Sequence, residues 1–316
     1  MNDNPIEVLL TQPVPEAIDA QLVNAYQVHR LYQQPNPQAL LDAVGPRIRG
    51  VVTGGAKGLA NALMDQLPAL EIIAISGIGT DAVDLRHAAS RGIHVSTTPG
   101  VLTADVADLA LGLIISSLRR LGEGERLVRD GLWGKVELPL ARRVSGIELG
   151  IVGLGQVGKA IARRAAAFDM RIAYNGRREQ PDTGYRYEPD LVALARSVDV
   201  LVVAAAADGG QVLVTAEVLE ALGPQGYLVN VARGKLVDEH ALVEALREGR
   251  IAGAGLDVFV DEPHVPPALL DLNQVSLQPH RGSATLQTRL EMGRMVLLNL
   301  EACFQGELPP HRVVHP

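Results

Sequence analysis

The segment that most restricts the fold is a short apolar run, Glu148 to Val152, which passes directly into Gly153-Leu154-Gly155-Gln156-Val157-Gly158 and then into a helical pattern from Lys159 to Phe168. An isolated glycine turn could be purely structural; the strand before it and the helix after it give the motif its meaning. Gly153 permits the tight turn, Gly155 lets a ligand reach the backbone, and Gly158 allows close packing of helix on sheet. The helix N-terminus then faces phosphate groups, so the segment reads as a dinucleotide site in a doubly wound sheet.

Short β-branched or aliphatic runs alternate with helical patterns from end to end, which predicts an α/β protein with parallel sheets covered by helices. A first series of strands is expected at Ile6–Leu10, Ile48–Thr53, Leu70–Ile75 and Ile93–Ser96. A second runs through Glu148–Val152, Arg171–Tyr174, Val200–Ala204, Tyr227–Asn230, Ile251–Leu256 and Gln274–Leu277, and these six complete one doubly wound sheet. Between the two series, Thr103 to Leu121 reads as a long connecting helix that ends in a glycine-rich stretch around Gly122, Gly124 and Gly131. A last helix, Leu286 to Phe304, would carry the chain back to the first domain and make that domain discontinuous. A chain of 316 residues suits two domains of roughly 100 to 200 residues each. We expect residues 1–99 with 283–316 to form one, flavodoxin-like and substrate-binding, and residues 100–282 to form a Rossmann domain that binds the dinucleotide.

A net charge of -7 disfavours attraction to phosphate backbones and argues against a nucleic-acid partner. The start, MNDNPIEVLL, shows no export signal, and no apolar run is long enough to span a bilayer. Cys303 is the only cysteine, so no internal disulfide can form and cysteine-based zinc sites are excluded. A cytoplasmic enzyme fits best. His29, His87, His94, His240, His264, His311 and His315 read as structural or surface residues, and no metal is expected.

The strand after the fingerprint ends in Tyr174-Asn175-Gly176-Arg177-Arg178. An acid there would accept hydrogen bonds from the adenosine ribose of NAD; two cations and an amide instead suit the extra phosphate of NADP. The alternative is a solvated basic loop. Three later segments each end a predicted strand: Asn230-Val231-Ala232-Arg233-Gly234, Asp257 to Pro263, and Gln278-Pro279-His280-Arg281-Gly282. In a doubly wound sheet all three fall at the carboxyl edge, where ligands bind. Arginine offers a planar fork to a carboxylate, histidine exchanges a proton near neutral pH, and a glutamate bonded to the ring favours its charged form. Taken singly, Arg233 could pair with Asp238, Glu262 could sit in a surface turn, and His280 could cap a strand.

These segments, with Gly77-Ile78-Gly79-Thr80-Asp81, GLGQVG, NVARGKLVDE, DVFVDEP and PHRGSAT, resemble the D-isomer-specific 2-hydroxyacid dehydrogenases over nearly the whole chain. The resemblance implies that Arg233 holds the substrate carboxylate and carbonyl, that Glu262 pairs with His280, and that His280 is the general acid or base. It implies substrate contacts from Ser76, Gly77, Ile78 and Gly79 and from the loop Val52-Thr53-Gly54-Gly55, in a cleft between domains. To the fingerprint and to Asn175, Arg177 and Arg178 it adds Thr103, Ala204, Ala205, Val231, Ala232, Arg233, Asp257, His280 and Gly282 as cofactor contacts. Within the family the pattern is most similar to NADPH-dependent glyoxylate, hydroxypyruvate and hydroxyphenylpyruvate reductases. That implies reduction of a small 2-oxo acid to the D-2-hydroxy acid, with larger 2-oxo acids such as 2-ketogluconate or arylpyruvates as the alternative. It also implies a homodimer with contacts from the helix at Thr103 and the segment around Trp133. Arg281 departs from the pattern, since an aliphatic residue is common after the histidine; it could point to solvent or touch a polar substrate tail. Dinucleotide-sensing corepressors share the scaffold, but the complete arginine, glutamate and histidine set argues for an enzyme.

Overall fold

The protein was analysed as a computed structural model that describes residues 5–207 and 210–314, so that His315 lies outside the described residues. The chain divides into two units, one of residues up to Leu102 with Ala284 onwards, the other Thr103–Ser283. Each is an α/β unit built on a parallel sheet. No helix among the described residues is long and apolar enough to cross a membrane.

The first unit contains strands β1 (Glu7–Leu10), β2 (Gln27–Arg30), β3 (Ile48–Gly54), β4 (Ile72–Ser76) and β5 (His94–Ser96), in the order β2-β1-β3-β4-β5. All four pairings are parallel. Because helices cover both faces, successive residues on a strand enter different cores, and a central strand is apolar at nearly every position. Leu9, Val51 and Ile73 pack with Leu41, Met64 and Leu67, whereas Val8, Leu10, Val52 and Ile72 pack with Ile18, Leu22, Val296 and Leu300. Fully burying one such aliphatic side chain contributes about 1.5–3 kcal/mol. β2 was not among the expected strands: its sequence QVHR is polar, and it pairs only with β1 at the sheet edge, with no buried residue.

The second unit contains β6 (Glu148–Val152), β7 (Arg171–Asn175), β8 (Arg186–Tyr187), β9 (Val200–Val203), β10 (Tyr227–Asn230), β11 (Gly253–Leu256) and β12 (Val275–Leu277). Their order is β12-β11-β10-β9-β6-β7-β8, seven strands rather than the six expected, because two-residue β8 carries no readable pattern. The helix Thr103–Arg119 lies on β10 and β11. Gly255 lets it settle there: a Cβ on that residue would come within 2.9 Å of the Leu113 Cβ, and Ser117 Oγ donates to the Ala254 carbonyl at 3.1 Å.

The sequence placed the end of that helix at the glycines. In the structure the break is at Arg120, with φ of 55°, and a second helix, Leu121–Arg129, runs through Gly122 and Gly124. Glycine disfavours a helix by only about 1 kcal/mol, and ion pairs Arg120–Glu123 and Arg129–Glu125, both at 2.6 Å, work against that penalty.

The helix Leu286–Phe304 packs on β4 and on the helix Glu16–Ala25. Its Gly293 is the point of contact, since a Cβ there would lie 2.3 Å from Ile18 Cγ1. We expect Gly293→Val to destabilise the first unit by about 1–3 kcal/mol through overpacking, read as a lowered denaturation midpoint. A midpoint equal to that of the unaltered protein would contradict this docking.

Candidate active site

The fingerprint glycines differ in what they accommodate. Gly153 has φ of +94°, and a Cβ on it would lie 2.5 Å from Ala205 Cα; a Cβ on Gly158 would lie 2.1 Å from the Gly153 carbonyl oxygen. Both are required by the protein's own packing of strand, turn and helix. Gly155 is different: it caps the helix Gln156–Ala166, and a Cβ on it meets nothing within 4 Å. Backbone N–H groups at that helix end, in front of open space, fit a pyrophosphate. Thr103 Oγ1 lies 3.4 Å from Gln156 Oε1 beside this turn.

The loop after β7 is held by its own hydrogen bonds. The Tyr174 hydroxyl accepts from Gln180 N at 2.6 Å, and Gln180 Nε2 donates to the Leu154 carbonyl at 3.0 Å, which fastens the loop to the fingerprint. Asn175 spends both amide protons on the carbonyls of Glu188 and Pro189, at 2.9 and 3.0 Å. Its side chain therefore braces the loop. Arg177 and Arg178 are exposed at the tip.

β10, β11 and β12 are neighbours in the sheet, with Asn230 level with Leu256 and Leu256 level with Leu277. The segments that follow them leave the same edge side by side. Arg233 stands in extended conformation after β10, and its Nη1 donates to the Ala232 carbonyl at 2.7 Å. Glu262 Oε2 lies 2.7 Å from His280 Nδ1, while Glu262 Oε1 accepts the Phe259 N–H at 3.1 Å. With Nδ1 engaged, Nε2 is the nitrogen that can exchange a proton with a ligand. Asp238 caps the helix Glu239–Arg247 by accepting from Ala241 N at 3.0 Å.

His280 has φ of 52°, a left-handed conformation that a non-glycine residue rarely adopts. Asp257 holds it there. Its backbone carbonyl accepts from His280 N at 2.9 Å, and its buried carboxylate accepts from Arg281 N at 2.6 Å and Gly282 N at 2.8 Å. Burial pushes the Asp257 carboxyl above the ordinary range against the pull of those two N–H groups and of His280. Burial also raises the Glu262 carboxyl, but the His280 hydrogen bond and charge, the Phe259 N–H and the Arg233 charge outweigh it, and the net direction is down. Glu262 is therefore the ionised partner of the imidazole.

In the first unit, Val52 and Thr53 are fully buried: Val52 belongs to the core, and Thr53 Oγ1 donates to the Gly58 carbonyl at 2.7 Å. Neither has surface open to a ligand, so the substrate contact expected of Val52 and Thr53 is not available in this structure. Gly54 ends β3 beside Ser76 at the end of β4, and Gly77, Ile78 and Gly79 follow, with Ile78 exposed.

The family described as D-isomer specific 2-hydroxyacid dehydrogenase, NAD binding domain, matches residues 111–282, more than half of the chain. This chain belongs to that family. The dehydrogenase is 44% identical over 303 residues to glyoxylate/hydroxypyruvate reductase A of Arabidopsis thaliana, covering 96% of this chain and 97% of that one. It is equally 44% identical over 303 residues, with the same coverage, to hydroxyphenylpyruvate reductase of Plectranthus scutellarioides. Among solved structures it matches the NADPH-dependent glyoxylate/hydroxypyruvate reductase of Sinorhizobium meliloti, crystallised with NADP and malonate. That match has a TM-score of 0.91 and 41% identity and covers 98% of this chain and 97% of that one.

Two residues that shape the site in this dehydrogenase were not singled out in the sequence. Asn230, 1% exposed, accepts from Ala232 N at 3.0 Å and donates to the Arg233 carbonyl at 2.9 Å, which fixes the turn that presents Arg233. Glu239 Oε1 accepts from Val260 N at 3.1 Å and steadies the loop that carries Glu262. A polar residue closing an apolar run was the available signal for Asn230; Glu239 had none, because its partner lies 21 positions away.

Glu262→Gln keeps the shape of the side chain and removes its charge. We expect kcat/KM to fall roughly a hundredfold, within the usual worth of general acid–base assistance. The lowered Glu262 pKa means the ionised pair stabilises the fold above the ordinary value of 4.5 and loses that contribution as pH falls through the lowered value. The gap in denaturation midpoint between the unaltered protein and Glu262→Gln should therefore be present at neutral pH and close on strong acidification. Equal turnover, or a gap independent of pH, would contradict the pairing.

Proposed function

We propose that this chain is a cytoplasmic, homodimeric enzyme that uses NADPH to reduce a small 2-oxo acid, of the glyoxylate or hydroxypyruvate kind, to the D-2-hydroxy acid. The observation that carries this reading is the 2.7 Å His280–Glu262 pair on the sheet edge that also presents Arg233. The open helix end at Gly155 supports cofactor binding in the unit Thr103–Ser283.

In this reading Arg233 grips the substrate carboxylate through its paired donors. Glu262 fixes the imidazole through Nδ1, and His280 Nε2–H gives its proton to the carbonyl oxygen as the carbonyl carbon is reduced. When bound, NADPH supplies the hydride. The Gly153–Gly158 turn with Leu154, Gln156, Val157 and Thr103 holds the pyrophosphate side. Ala204, Ala205, Val231, Ala232, Asp257 and Gly282 line the cofactor's course along the edge, and Arg177 and Arg178 take the extra phosphate. Asn175 serves by bracing that loop. Backbone at Gly55 and Ser76–Gly79 contacts the substrate.

The homodimer reading rests on an apolar surface. No residue of the helix Leu121–Arg129 is buried, and the following segment exposes Trp133 at 80% and Leu140 at 99%. A second copy of the chain is the partner we assign, since the charges of this helix are already paired within the chain and leave an apolar patch that can meet its own copy across a two-fold axis. Trp133→Asp should shift the protein to monomer in sedimentation; a monomer before the substitution would overturn the reading.

The function is tested by mixing the protein with NADPH and glyoxylate or hydroxypyruvate and following nicotinamide absorbance; silence across a panel of 2-oxo acids would overturn it. Arg177→Ala should then raise KM for NADPH by roughly tenfold or more while barely altering that for NADH, because a charge-assisted contact to phosphate is lost. Equal effects on both cofactors would remove Arg177 from that role.

A further inference from the structure

Between β7 and β8 the chain carries Arg177 and Arg178 at an exposed tip that runs from Gly176 to Glu179. The near end of the tip is held by β8, where the Tyr187 hydroxyl donates to the Gly176 carbonyl at 3.0 Å. The far end is held through Gln180. The Gln180 N–H donates to the Tyr174 hydroxyl at 2.6 Å, and the Gln180 side-chain amide donates to the Leu154 carbonyl at 3.0 Å. Tyr174 is fully buried, and its ring packs against that of Tyr187 with centroids 5.3 Å apart. The two tyrosines that clamp the tip therefore brace each other.

Leu154 belongs to the turn Gly153–Gly158 and is only 3% exposed, so the carbonyl that receives the Gln180 amide is part of a packed turn. Gly153 N donates to the Asn175 carbonyl at 2.9 Å. The fingerprint is thus tied to the loop both through the end of β7 and through the Gln180 side chain. Thr183 Oγ1 donates to the Gln180 carbonyl at 2.8 Å, which engages the backbone of Gln180 on both sides. All of these residues lie within the unit Thr103–Ser283. A cation on a loose loop must be ordered when it meets an anion, and the cost of that ordering is subtracted from the affinity. A loop ordered beforehand avoids the cost.

We propose that Gln180 is a positioning residue for cofactor selectivity: by linking Leu154 to the loop it sets the place of Arg177 and Arg178 relative to the turn that receives the pyrophosphate, so that NADPH meets both together. The inference rests on the assignment of those arginines to the extra phosphate and deepens it. NADH carries no phosphate there and gains nothing from an ordered tip. Selectivity then comes from the tether as well as from the charges, and Gln180 acts on it through the arginines.

The experiment titrates the full-length protein and Gln180→Met, a substitution of similar length and no amide, with NADPH and with NADH, following nicotinamide fluorescence at equilibrium. Kd for NADPH should rise roughly five- to tenfold and that for NADH by about twofold at most, while kcat at saturating NADPH holds. Tyr174→Phe, which releases the other hold on Gln180, should shift the two affinities in the same way and takes the place of the methionine variant if that one does not fold. In a background that combines Arg177→Ala with Arg178→Ala, Gln180→Met should have no further effect on NADPH affinity, because its action passes through those arginines. Equal losses for both cofactors, an unchanged NADPH affinity, or an undiminished further loss in that background overturns the role of Gln180. Unaltered protein that binds NADH as tightly as NADPH overturns the assignment of the arginines to the extra phosphate instead.

Discussion

Every strand pairing in both sheets is parallel, and the position of the candidate site residues follows from that constraint. Parallel neighbours cannot be joined by a tight turn; the chain must cross over the sheet, and the helices that make the crossing cover both faces. All strands of a sheet then end on one side. Segments as distant in sequence as Gly153–Gly158, Arg233, Glu262 and His280 are delivered to a single edge without any of them having to find the others. In each sheet the switch point is the place left open. One lies between β6 and β9, where the fingerprint leaves β6, and the other between β1 and β3, where Gln12 lies over Gly54.

Sheet topology brings the residues near one another; local hydrogen bonds set their geometry. His280 sits in a strained backbone region, and a strained residue persists only where its surroundings over-determine it. Asp257 does this with three acceptor contacts to the consecutive N–H groups of residues 280 to 282. Glu262 bonds the imidazole and Asp257 the backbone that follows it, and their environments separate their tasks. Burial dominates at Asp257 and raises its pKa, which suits an acceptor for backbone N–H groups. At Glu262 the His280 hydrogen bond, the Phe259 N–H and the neighbouring charges outweigh burial and lower it, which suits an ionised acceptor for the ring N–H.

What the sequence revealed was whatever repeats a physical pattern locally. Buried parallel strands such as Leu149–Val152 and Val200–Val203 are apolar throughout, and the edge residues of interest follow such runs directly, so Arg233, Glu262 and His280 could be picked out by their place after a strand. β2 and β8 escaped because edge strands are polar or very short, and the helix Leu121–Arg129 escaped because its glycines argued against it while its ion pairs argued for it. Long-range hydrogen bonds were illegible for another reason. The Asn175 amide bonds the carbonyls of Glu188 and Pro189, and the Glu239 carboxylate accepts the Val260 N–H, a contact with no mark in the sequence. Such partners lie a dozen or more positions away, beyond the reach of any periodicity.

The two units use glycine to different ends. Around the fingerprint, Gly153 and Gly158 bring backbone against backbone, and Gly155 leaves space in front of a helix end. What that helix end offers a ligand is main chain. At the end of β3, Gly54 makes room for a side chain, that of Gln12. A Cβ at Gly153 or Gly158 would therefore collide with backbone that the sheet and helix hold in place, whereas one at Gly54 would meet the far end of a side chain that can turn aside.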